Sequence, residues 1–164
     1  MRARGFTLIE TMLVLAIAGI MAAIAVVGTQ DILGMKRELG AARSVAVLIK
    51  RARMTAIQSH RRVEVDASMA TSTLTLSACK SAFGKGATCA NSAALVPLPQ
   101  SELKLSDGAF VGVKITSAPV SPLIFGPTGF PEVVGTYTYV VDDPKRPATS
   151  FSVVVNTAGE IRVQ

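Results

Sequence analysis

The sequence predicts an α+β protein: one long N-terminal helix, apolar through its first half, packed on a β-rich globular domain. Three observations carry this. From Phe6 to Gly28 the only charged residue is Glu10. Between Asp31 and Arg62 there is no proline, and apolar residues recur three and four apart. After Arg62 the pattern changes to strict alternation between turn-forming clusters, the period of half-buried strands.

The first element, residues 6–28, is long enough to span a bilayer as a helix, which takes about 20 residues at 1.5 Å each. Arg2 and Arg4 precede it, so the positive-inside tendency keeps the N-terminus cytoplasmic and puts the body of the protein on the far side. Residues 29–62 continue as an amphipathic helix. Its apolar positions are Ile32, Met35, Leu39, Ala42, Val45, Leu48, Ile49, Ala52, Ala56 and Ile57, one stripe suited to covering a sheet. Gly28, Gly34 and Gly40 each weaken a helix by about 1 kcal/mol relative to alanine, so a bend or local melting is expected there.

Residues 63–164 form the β-rich part. Strands are expected at 62–66, 72–76, 110–116, 123–125, 136–141, 150–155 and 161–163. Turns at Gly126–Gly129, Asp142-Asp143-Pro144 and Asn156–Gly159 separate the later ones. The stretch between the second and third strands, with Pro97 and Pro99, is expected to be a loop.

Composition narrows the function. Hydrophobic residues make up 49% of 164 and charged residues 17%, with mean hydropathy +0.45. The net charge of +6 is uneven: residues 1–62 hold ten Lys/Arg against three acids, residues 63–164 seven against eight. The basic character therefore belongs to the N-terminal part and is no nucleic-acid signature of the whole domain. With 5% aromatic residues and no Trp, a stacking platform for single strands is absent. Ser59-His60 has no evident orienting acid, and neighbours on a helix point about 100° apart, so they form no catalytic dyad. No phosphate loop, dinucleotide fingerprint or metal-ligand cluster occurs. No enzyme activity, cofactor or metal is expected.

Cys79 and Cys89 lie in a Gly/Ser/Ala-rich stretch. Exported to an oxidising compartment, such a pair becomes a disulfide, and closing so short a loop contributes roughly 2–3 kcal/mol. Zinc would need more ligands, and His60 is the only histidine.

Glu10 needs an explanation. A cleavable secretory signal, with Ala23-Ile24-Ala25 as cleavage site, accommodates neither the charge in the apolar run nor the run's continuation. A plain anchor explains the length but not a carboxylate costing about 2.5–3.5 kcal/mol at mid-bilayer. A position at headgroup level would make the cost small.

Arg4-Gly5-Phe6-Thr7-Leu8-Ile9-Glu10 resembles the signal of type IV prepilins and type II secretion pseudopilins. The resemblance implies a type IV pilin-like fold. It also implies cleavage after Gly5 by prepilin peptidase, a membrane-embedded enzyme, and N-methylation of the new terminal residue, Phe6. Glu10 would pair with the N-terminal amine of a neighbouring subunit, and a charge that finds its partner only in the assembly favours assembly. Residues 1–5 would be a cytoplasmic leader and residues 6–28 first an anchor, then filament core. The protein would sit in the bacterial inner membrane by a single pass, its C-terminal domain periplasmic, before joining a pilus or pseudopilus. Major pilins commonly carry a proline about twenty residues into the mature helix. Here the neighbourhood is Ala25-Val26-Val27-Gly28, which fits a minor component better.

The whole chain resembles the GspH/FimT family of minor pseudopilins and minor pilins. The order of segments carries this: Ala41-Ala42-Arg43-Ser44, Ile57-Gln58-Ser59, Val63–Val65, the two cysteines, Ile124–Gly129 and the closing Val155–Val163. The implied function is initiation and assembly of a type IV pilus or type II secretion pseudopilus, with other minor and major pilins or pseudopilins as partners. The alternative is a receptor for double-stranded DNA in natural transformation, as in members that use a closing Gly-Arg-x-Arg segment. This chain reads Gly159-Glu160-Ile161-Arg162, and a carboxylate beside a phosphate is repulsive. Lys145, Arg146 and Arg162 remain as candidate contacts, with Asp142 and Asp143 adjoining. A second basic stripe, Lys36, Arg43 and Lys50 with Arg37 and Arg51 beside them, reads as a solvated helix back.

Overall fold

The computed structural model describes residues 7–80, 95–146 and 149–164, the side chains of residues 25–31 excepted. The element order is a helix, α1 (Leu8–Ser59), then strands β1 (Val63–Ser68), β2 (Thr73–Cys79), β3 (Leu95–Lys104), β4 (Lys114–Ser117), β5 (Leu123–Phe125), β6 (Tyr137–Asp142), β7 (Ser150–Val155) and β8 (Ile161–Val163). The chain divides into two compact units, the first ending at Lys36 and the second starting at Arg37.

In the first unit, every side chain described between Leu8 and Ile24 is exposed. A helix apolar on all sides has no single face to turn towards a domain. No helix among the described residues is long and apolar enough to cross a membrane.

The second unit holds one core. Its strands form two antiparallel four-stranded sheets, ordered β3-β2-β1-β5 and β4-β6-β7-β8. Alternation decides which side chains point inwards: Val63 and Val65 on β1, Leu74 and Leu76 on β2, Tyr137, Tyr139 and Val141 on β6, Val153 and Val155 on β7. The C-terminal part of α1 adds Val45, Leu48, Ile49 and five buried alanines, Ala41, Ala42, Ala46, Ala52 and Ala56. Small residues at these positions let helix and sheets approach closely at native packing density. Ile32, Met35 and Ile57, expected on the buried stripe, are exposed. Ile32 and Met35 precede the first buried helix position, Glu38, and Ile57 follows the last, Ala56.

α1 continues through Gly28, Gly34 and Gly40, so the expected melting does not occur. At Gly40 a Cβ would make an ordinary contact with the Phe110 ring at 3.4 Å, so packing leaves room for a small side chain there. The helix ends at Ser59, followed by His60 in the left-handed region (φ 49°). His60 is thus an exposed helix-end residue.

Two strand expectations are corrected. The segment with Pro97 and Pro99 is a strand, β3, rather than a loop. It is an edge strand, with a register shift opposite it between Thr75 and Ser77. Edges and bulges are where a sheet tolerates residues without an N–H. In the expected strand 110–116, a 3-10 turn at Gly108–Phe110 takes the start, and β4 begins only at Lys114. The strands at 123–125, 150–155 and 161–163 lie where alternation puts them.

Candidate functional site

Glu10 stands in the first turn of α1, exposed and without an ion-pair partner among the described residues. Around it Leu8, Ile9, Met12, Leu13, Val14 and Leu15 are each more than half exposed. The isolated chain thus presents a continuous apolar cylinder with one carboxylate near its start. Surface of this kind marks contact with another molecule or with lipid. Gly5 and Phe6, the expected cleavage and methylation positions, lie outside the described residues.

In the domain, the two turns behind the later sequence motifs meet one arginine. The turn Gly126–Gly129 closes with the Gly129 N–H donating to the Gly126 carbonyl at 2.9 Å, and Asn156–Gly159 closes likewise at 2.9 Å. The Asn156 side-chain oxygen also accepts from the Ala158 and Glu160 amides. Arg53 Nη1 donates to the Gly159 carbonyl at 2.9 Å. A Cβ on Gly129 (φ +80°) would lie 2.6 Å from Ile57 Cδ1, and one on Gly159 (φ +70°) 3.0 Å from the Gly129 carbonyl. Both glycines are required by conformation and by space. Arg53 was not singled out in the sequence, because its bond to Gly159 joins residues about a hundred positions apart; Ile57 was placed on the helix stripe, with no turn expected against it.

The candidate DNA contacts stand on separate elements. Lys145 and Arg146 sit in the turn after β6, where the Asp143 carboxylate accepts from the Lys145 amide at 3.0 Å. Arg162 lies on edge strand β8 opposite Val154. That is four residues along β7 from Ser150, or about 13 Å of strand. Its Nε donates to Glu160 Oε1 at 2.8 Å. That bond lowers the Glu160 pKa and raises the Arg162 pKa, so each holds the other charged. Glu160, standing where the resembled motif has arginine, therefore occupies the cation that remained.

The helix stripe divides. Lys36, Arg43 and Lys50 are exposed without ion pairs among the described residues. Arg51 instead donates to the Gln100 and Pro99 carbonyls at 2.8 and 3.1 Å, covering part of the β3 edge. Cys79 ends β2 and is buried, while Cys89 lies outside the described residues. Among the described residues no group of His, Cys, Asp and Glu forms a metal site.

Comparison with known proteins places these features. Residues 41–159 match the family described as type II transport protein GspH, and residues 1–26 match the prokaryotic N-terminal methylation motif. Among solved structures the chain is similar to the minor pseudopilin EpsH from the type 2 secretion system of Vibrio cholerae. The identity is 14% and the TM-score 0.57, over 78% of this chain and 96% of that one. It is also similar to the type IV minor pilin FimU of Pseudomonas aeruginosa, 13% identical with TM-score 0.55, over 79% and 89%. At such identities the likeness concerns the fold. None of the curated proteins compared matches the chain.

Proposed function

The chain belongs to the type II transport protein GspH family, and from that premise we propose that it is a processed, membrane-anchored minor subunit that primes filament assembly. Its class is a minor pilin or pseudopilin of a type IV pilus or type II secretion system, a structural component and no enzyme. Prepilin peptidase cuts after Gly5, and Phe6 becomes the methylated N-terminus. Residues 6–28 hold the protein in the inner membrane with the domain in the periplasm, where Cys79 and Cys89 pair. On extraction into the filament the same residues become part of its core, beside other minor and major subunits.

One observation carries the reading: the apolar residues of Leu8–Ile24 are exposed on every side, around one unpaired carboxylate, while the domain's core is complete without them. Such a surface is satisfied by lipid before assembly and by neighbouring helices after it. The Glu10 carboxylate gives the second state its advantage. In lipid it is a cost, and beside the amine of an adjoining subunit it is paired.

The test is Glu10→Ala in the full chain, expressed with its assembly machinery. Cleavage, read as the mass of the N-terminal peptide, should proceed as in wild type. The amount recovered in sheared filaments should fall on the order of tenfold or more, since the neighbour's amine is left unpaired. Undiminished incorporation would remove the carboxylate from the mechanism. The same preparation tests DNA. Binding tighter than about 10⁻⁴ M at physiological salt, lost with Arg162→Ala, would favour a DNA receptor over a priming subunit.

A further inference from the structure

A cleft of about 330 Å³ opens between the two sheets where β1 and β5 part. The ladder between these strands covers only Val63–Val65 opposite Leu123–Phe125. Beyond it, Asp66 and Ala67 form one bank and Pro119–Pro122 the other. The Ile124 carbonyl accepts from Glu132 on the side away from β1, so Leu123 and Phe125 turn their polar backbone groups towards Val63 and Val65. Antiparallel alternation then turns the N–H and C=O of Ala67 the same way, with no strand opposite them.

Two side chains complete the cleft. Tyr139 lines it although the residue is only 1% exposed, and its hydroxyl has no hydrogen-bond partner among the described residues. Although the ring is buried, the hydroxyl oxygen is not among the buried unpartnered polar atoms, so it reaches the solvent-filled cleft. Burial above all, then Tyr137 and Asp66, raise its pKa beyond the usual tyrosine range, so it stays a donor at physiological pH. Asp66 is exposed and without an ion pair among the described residues, and Glu64, two residues before it, lies on the same strand face. Ser121 is the other polar side chain of the lining, and Met69 and Val120 are strongly exposed.

We propose that this cleft captures an extended segment of a neighbouring subunit, which pairs through its backbone with the open edge of β1 at Ala67 and sets a lysine or arginine against Asp66. An unpaired edge offers one N–H and one C=O to an incoming strand. The two carboxylates, Glu64 and Asp66, select a cation. The volume admits a side chain with a stretch of backbone and excludes a helix, which is about 10 Å across. Only the source of the segment rests on the assembly reading.

The experiment uses the full chain in detergent micelles with ¹³C-labelled tyrosine. The two tyrosines of the sequence give two sets of signals, assigned with Tyr137→Phe. The probe is the blocked pentapeptide Thr-Val-Lys-Val-Thr. It should move the Tyr139 signal and leave Tyr137 nearly still. Binding should weaken about tenfold when the central lysine is glutamate, and about tenfold in Asp66→Asn, as expected for loss of one charge-assisted hydrogen bond. Thr-Pro-Lys-Pro-Thr, which lacks the flanking N–H groups, should bind at least as poorly. Tyr139 unmoved by the lysine peptide, or moved equally by its glutamate counterpart, would overturn the proposal. Equal binding of the proline peptide or of blocked lysine alone would overturn the strand pairing. An unchanged Tyr137 signal in Asp66→Asn reports an intact domain. The titration needs no filament, so its failure leaves the assembly reading standing, and a failed Glu10 test leaves the cleft standing.

Discussion

The two ends of α1 are built from similar residues and end in opposite states. Between Leu8 and Ile24 every described side chain is exposed, whereas between Ala41 and Ala56 eight apolar residues are buried. The early part is apolar all round, and the later part carries charge on the face it does not bury. A stripe can be satisfied within the chain, but a cylinder cannot. The difference identifies which part of the helix depends on partners outside this chain.

Each part also carries one unpaired carboxylate, and these too differ. Glu10 is exposed, so an incoming cation can reach it. Glu38 is fully buried, and both its oxygens lack a hydrogen-bond partner among the described residues. The first is open to a group from outside the chain; the second is a cost borne inside the domain.

The sharpest way to break this comparison is to truncate one isoleucine in each part. Ile49 is completely buried and Ile17 is 54% exposed. Ile49→Ala should destabilise the domain by about 2–5 kcal/mol through lost burial and a residual cavity. Ile17→Ala should leave the domain unchanged within about 0.5 kcal/mol. Near-ultraviolet circular dichroism of Tyr137 and Tyr139 during denaturant unfolding reads the domain alone. Equal losses for the two variants would mean that the early helix supports the domain after all.

A smaller effect of opposite sign is expected from Glu38→Met. Replacing a buried carboxyl that has no partner by an apolar side chain of similar length removes a desolvation cost of about 1–3 kcal/mol. The same unfolding measurement should show a gain in stability. A loss would show that Glu38 meets a partner when the full chain is in its native setting.

How much of this was legible beforehand depends on the range of the interaction. Alternation along 150–155 and the turn residues at Asn156–Gly159 are local, and they place β7, its turn and β8 correctly. The prolines of β3 hid a strand, because a residue without an N–H is acceptable only at an edge, and edges are a property of sheet order. Glu10 was legible because it breaks an otherwise uninterrupted run. The junction of Arg53 with the Gly129 and Gly159 turns was not, nor was the placing of Asp66 and Tyr139 on one cleft. Those pairs are made by topology, and no spacing in the chain announces them.

The mildest test concerns the strand face beside the cleft. Burial first, and Asp66 second, raise the Glu64 pKa above its ordinary 4.5. The native state therefore keeps the Glu64 proton to higher pH than the unfolded chain does. Where the native state holds more protons, stability falls as pH rises. The contribution of Glu64 is thus most favourable at and below pH 4.5 and declines through a window extending upwards from it. Glu64→Gln cannot titrate, so its stability relative to wild type should increase from pH 4.5 to pH 7, by a small amount because solvent screens a group on this face. A difference independent of pH would show that Glu64 feels neither burial nor Asp66. The cleft would then lack the paired negative charge that selects its cation.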